Sequence, residues 1–163
     1  MSIKNFCILS LVAVCVFVLQ GSVSAQNSEN SKFAICDSSS IYRIDDTMLA
    51  EKGFGELKVV ETNPDFSGKV EALQKFFDDN LKLSEEAKSL FVRVHIKFTV
   101  DCKGKVGDFK ILSPAAPEVA QEILKIAEKM PDWVDGKVKG NAVDTVTKLA
   151  FTISQGKAKV SYK

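Results

Sequence analysis

The residues of this chain that are equipped for chemistry are few, and their spacing works against their acting together. His95 is the only histidine, and of the four cysteines Cys7 and Cys15 sit in an apolar leader, which leaves Cys36 and Cys102. Cys102 lies beside Lys103 and Lys105, a setting that lowers a thiol pKa. A thiol enzyme also needs a base, however, and His95 stands roughly 20 Å away along an extended strand. Cys36, Cys102, His95 and a carboxylate contain the ligand types for zinc, but no short ligand spacing joins them. There is no glycine-rich phosphate loop and no Gly-x-Ser-x-Gly turn. Asp78-Asp79 reads as a solvated helix end rather than a catalytic pair. The expectation is therefore a non-enzymatic chain with no catalytic residue, metal, cofactor or small-molecule substrate. Cys36 and Cys102 form an even pair, which in an exported protein permits one disulfide. Two separate thiols fit the spacing equally, since sequence does not place their Cα atoms.

The elements that would position these residues centre on Leu90–Pro114. Val92, Val94, Ile96, Phe98 and Val100 alternate with Arg93, His95, Lys97, Thr99 and Asp101, the period-2 pattern of a half-buried strand. Gly104 supplies the turn, Phe109 and Ile111 continue the apolar face, and Gly107 marks a bulge that lets Val106 turn inward. Before the hairpin, Val70, Leu73, Phe76, Phe77 and Leu81 recur at helical spacing. After it, Pro117 opens a second helix with the stripe Val119, Ile123, Ile126, Ala127 and Met130, stopped by Pro131. Leu149, Phe151 and Ile153 alternate with polar residues as a third strand. The order helix-strand-strand-helix-strand predicts an α+β fold: two helices on one face of a three-stranded antiparallel sheet.

The chain has 163 residues, is 45% hydrophobic and 26% charged, and carries a net charge of +1. That fits one domain and shows no bias towards nucleic acid. Residues 1–25 read as a signal peptide: Lys4, an apolar run from Phe6 to Leu19, then Ser22-Val-Ser-Ala25 as the cleavage pattern. Export to the periplasm with cleavage after Ala25 follows, the alternative being an uncleaved anchor in the inner membrane. Residues 26–56 are expected to form a partly disordered N-terminal extension, 57–155 the domain and 156–163 a C-terminal tail.

Four stretches occur in an order similar to the C-terminal domain of the TonB family. Pro64-Asp-Phe-Ser-Gly68 resembles its Pro-x-Phe-x-Gly entry to the first helix. Val94-x-Ile-x-Phe-x-Val-Asp101 followed by Gly104-Lys-Val106 resembles its hairpin. Met130-Pro-Asp-Trp133 and Gly140-Asn-Ala-Val143 resemble the segments before its final strand. The chain departs from the family at Leu81-Lys-Leu-Ser84, Phe91-Val-Arg93 and Val134-Asp135, and it has no proline-rich spacer.

The resemblance implies a periplasmic module that binds an outer-membrane TonB-dependent receptor, or another envelope protein, by adding a strand of the partner to its sheet edge. It places that edge on the last strand, at Thr147, Lys148, Leu149, Ala150, Phe151, Thr152, Ile153 and Ser154. Two alternatives stand beside it: an edge blunted by the chain's own tail, and a homodimer or other self-association through the same strand.

Overall fold

The computed structural model describes residues 33–37, 39–113 and 115–163. The expected leader and the first residues of the extension lie outside them. In chain order the elements are β1 (Tyr42–Arg43), α1 (Thr47–Leu49) running into a wider turn at Ala50–Phe54, β2 (Asp65–Phe66), α2 (Lys69–Asn80), α3 (Glu85–Lys88), β3 (Val92–Val100), β4 (Val106–Ile111), α4 (Pro117–Ala127), β5 (Trp133–Val134), β6 (Gly136–Val138), β7 (Asn141–Val143), β8 (Thr145–Ser154) and β9 (Lys157–Ser161).

The fold is α+β, and the hairpin, both main helices and the last predicted strand form where the hydrophobic periodicities place them. β3 pairs antiparallel with β4 on one side and along its whole length with β8 on the other, from Val92 opposite Ile153 to Val100 opposite Thr145. The β3–β4 register shifts between Lys97 and Thr99, where Asp108 adopts φ 52°. This is the bulge, and Val106 is turned into the core by it. Val94, Ile96, Phe98 and Val100 of β3 join Leu149, Phe151 and Ile153 of β8 under Leu73 and Phe77 of α2 and Val119, Ala120 and Ile123 of α4. Trp133 closes one end of this core, its ring 5.0 Å from those of Phe98 and Tyr162 and 5.5 Å from that of Phe66. The hairpin turn is pressed against the same tryptophan. Trp133 donates its backbone N–H to Gly104 O at 2.8 Å, and a Cβ on Gly104, where φ is +79°, would lie 2.0 Å from Trp133 O. Only glycine fits there.

The three-stranded antiparallel expectation is corrected in two ways. First, the main sheet has five strands and is mixed: β1 joins β8 in parallel at Tyr42–Thr145 and Arg43–Val146, and β9 folds back on β8 at Ala150–Ser154. The tail expected at 156–163 is thus largely a strand. Gln155 and Gly156 both have positive φ, 49° and 73°, the backbone of a two-residue hairpin turn whose twist matches the strands it joins. Ala158 packs against the core and Val160 is buried within it.

Second, the sheet is covered on both faces. Lys97 is 3% exposed, and Thr99 and Asp101 are buried too, because the segment from Ile41 to Val60 packs over the face that sequence alternation assigns to polar residues. Its own small core comprises Ile44, Leu49, Val60, Leu112 and Val146. Lys148, Lys97 and Lys110 lie side by side across three adjacent strands, an arrangement that like charges oppose. Carboxylates interleave with them. Asp46 lies 2.8 Å from Lys148 Nζ, Asp108 accepts a short hydrogen bond from Lys97, and the Lys97 ammonium sits 5.2 Å above the Phe54 ring.

Candidate partner-binding edge

The site expected on β8 is not an open edge. Ala150 to Ser154 are paired with β9, and Thr145 and Val146 with β1, while β3 occupies the other side throughout. The side chains of Thr147, Leu149, Phe151 and Ile153 are buried. Lys148, expected to tune partner choice, is held by Asp46. Burial pushes the Asp46 carboxyl up, but the hydrogen bond from Lys148, the Leu49 N–H and the Lys148 charge outweigh it and leave the group below its ordinary pKa. β9 is closed in turn by a side chain. Gln74 on α2 donates from Nε2 to Ala158 O at 2.9 Å and accepts from the Val160 N–H at 2.9 Å, so one amide takes the place of a neighbouring strand.

The remaining open side is β4. Among the described residues, β4 has a strand neighbour only in β3. Lys97 opposes Lys110, and Leu112 N–H donates to His95 O at 2.8 Å, so the alternation of antiparallel hydrogen bonding turns the N–H and C=O of Ile111 outward. The bulge at Asp108 shortens the regular part of this edge, a common protection against uncontrolled pairing. At the end of the sheet where β4 stops, Phe91 is 79% exposed, and Leu90 beside it is also exposed. Leu90 lines a cavity of about 240 Å³ with Ala87, Ala116, Pro117 and Val119, rimmed by Glu86 and Glu118. An unpaired backbone edge, an apolar pocket and an exposed aromatic are the kinds of parts that strand addition uses: main-chain bonds for affinity and side-chain pockets for specificity.

The thiols and the histidine form no reactive set. Cys36 and Cys102 are joined in a disulfide with Cα atoms 6.1 Å apart, as the even pairing allowed. The bond straps Phe33–Asp37 across the hairpin turn. Asp144, only 2% exposed, accepts backbone N–H bonds from Cys36 at 2.8 Å, Asp37 at 2.9 Å and Cys102 at 3.0 Å. The two sulfurs and an Asp144 oxygen lie within 4.8 Å of one another. The sulfurs are bonded to each other and the carboxylate is taken up by three donors, so this is a structural clasp and not a free ligand set. His95 Nδ1 is buried without a hydrogen-bond partner. Burial lowers its pKa, the Lys148 and Arg93 charges act in the same direction, and Asp46 opposes them.

Sequence reasoning missed both the β4 edge and Phe91. A signal existed for the second: Phe91 is in step with Arg93 and His95, not with Val92 and Val94, so alternation points an aromatic away from the helix-covered face. Comparison with protein-family models, with curated proteins and with solved structures gave no match for this chain.

Proposed function

We propose that this chain is an exported, non-enzymatic interaction module of the cell envelope that takes up an extended segment of a partner along β4. The observation that carries the reading is that β4, among the described residues, has a strand neighbour on one side only, with Phe91 exposed on the chain that leads into β3, four positions before His95, whose carbonyl accepts the Leu112 N–H just past the end of β4. The disulfide supports an oxidising compartment. The resemblance to the TonB C-terminal domain supports strand addition and an outer-membrane receptor as the partner, with the edge moved from β8 to β4.

The test is site-specific photocrosslinking in the producing cell. A photoreactive phenylalanine at position 91 is expected to capture an envelope protein, and the same probe at Val70, on α2, is not. Ile111→Pro removes an outward N–H that β3 does not use, and it is expected to abolish capture while the domain stays folded by circular dichroism. Capture of equal strength from positions 70 and 91, or its survival in the proline variant, would sink the reading. A crosslink to a second copy, with a dimer in sedimentation, would replace it with self-association.

A further inference from the structure

We infer that the cavity between the C-terminal end of α2, the loop to α3 and the β8–β9 turn binds a small amphiphile with one alkyl chain and an anionic head group. The cavity measures about 480 Å³, within the range of about 300–1,000 Å³ common for small-molecule sites. Its apolar wall is Phe77, Leu81, Leu83 and Ala158, and three lysines, Lys82, Lys88 and Lys157, stand around it against one acid, Asp78.

The charges are not equally free. Lys88 is held by Glu85 at 2.6 Å, and Asp78 accepts a hydrogen bond from Gln74 at 2.8 Å. Lys82 and Lys157 have no carboxylate partner among the described residues. The end of α2 contributes roughly half a negative charge, less than these two ammonium groups supply. An apolar wall with uncompensated positive charge selects an alkyl carboxylate, sulfate or phosphate over a neutral or cationic chain. The head group binds at Lys82 and Lys157, and the chain lies against Phe77, Leu81 and Leu83.

Calorimetric titration of the purified protein with octanoate and decanoate, below their micellar concentrations, tests this. Each buried methylene should strengthen binding about fourfold, so decanoate, with two more, should bind about fifteenfold more tightly than octanoate. Decanol and decyltrimethylammonium should bind at least about tenfold more weakly than decanoate. The double variant Lys82→Glu, Lys157→Glu changes surface positions and should weaken decanoate by a similar factor without moving the melting temperature. A photoreactive fatty acid should label residues 77–83 and 156–158. Equal affinity for decanol, indifference to the charge reversal, or labelling elsewhere would overturn the assignment. So would binding to phosphatidylglycerol vesicles that free decanoate fails to displace, which would make the lysines a membrane-contact surface instead.

Discussion

At the scale of single residues, the sheet's stability depends on polar groups placed where sequence reading expects solvent. Tyr162 illustrates the physics. Its hydroxyl donates to Asp65 and accepts from the Phe66 N–H at 3.3 Å, and its ring stacks edge-on to Trp133. Burial, then the bond to Asp65, raise its pKa from 10.0 to about 12. A raised folded-state value means that the unfolded chain gives up this proton first. The stabilisation is therefore complete below pH 10 and is lost between pH 10 and about 12. In a Tyr42→Phe background, absorbance at 295 nm should show the remaining tyrosine ionising near the top of that window. Asp65→Asn should bring the transition down but not fully back, because burial is the larger cause; a transition unmoved by the substitution would show that the Asp65 contact is not made.

At the scale of elements, what was legible in the sequence is what has a period. The alternation of Val92 to Val100 and the helical stripes of α2 and α4 each repeat often enough to define a face, and the structure uses those faces. β1 is two residues long, too short to repeat anything, and its place beside β8 is set by tertiary packing. β9 carried a readable signal, Gln155-Gly156 between two alternating runs, but a sheet taken as complete at three strands left it as a tail. The polar residues Lys97, Thr99 and Asp101 were unreadable as buried, because their cover comes from a segment more than thirty positions earlier in the chain. The expectation of an open edge on β8 fails for the same reason, since an edge is defined by what does not pair with it. Gln74 makes the consequence testable. Gln74→Ala removes both side-chain bonds to β9 and should cost about 1–2 kcal/mol. Hydrogen exchange should show faster exchange specifically at the Val160 amide; unchanged protection there would mean that another group seals the strand.

At the scale of the whole molecule, one sheet serves as the shared wall of two cores, and the disulfide fastens the first described residues to the hairpin turn. The bond spans 66 residues, for which loop-closure entropy predicts about 4 kcal/mol of stabilisation. The double variant Cys36→Ser, Cys102→Ser should unfold at markedly lower denaturant concentration. Exchange protection should be lost first in the stretch from Phe33 to Asp37, whose other anchors include the Asp144 carboxylate, and only later from Tyr42 onward, where the β1–β8 pairing, the Asp46–Lys148 pair and the small second core also hold the chain. Equal midpoints for the two proteins would show that packing alone holds the strap.

The pairing of β1 with β8 gives chain synthesis a particular order of dependence. Tyr42 and Ile44, made early, find the carbonyls that accept their N–H groups, those of Asp144 and Val146, only when the chain has reached β8, and Asp46 neutralises a lysine, Lys148, that is made later still. Cys102 emerges before Asp144, so the clasp can close before its seat is present. A chain that stops short of β8 therefore leaves the Tyr42 and Ile44 N–H groups and the Asp46 carboxylate without the partners they have in the finished fold. β8, made late, thus completes bonds that the residues around β1 begin.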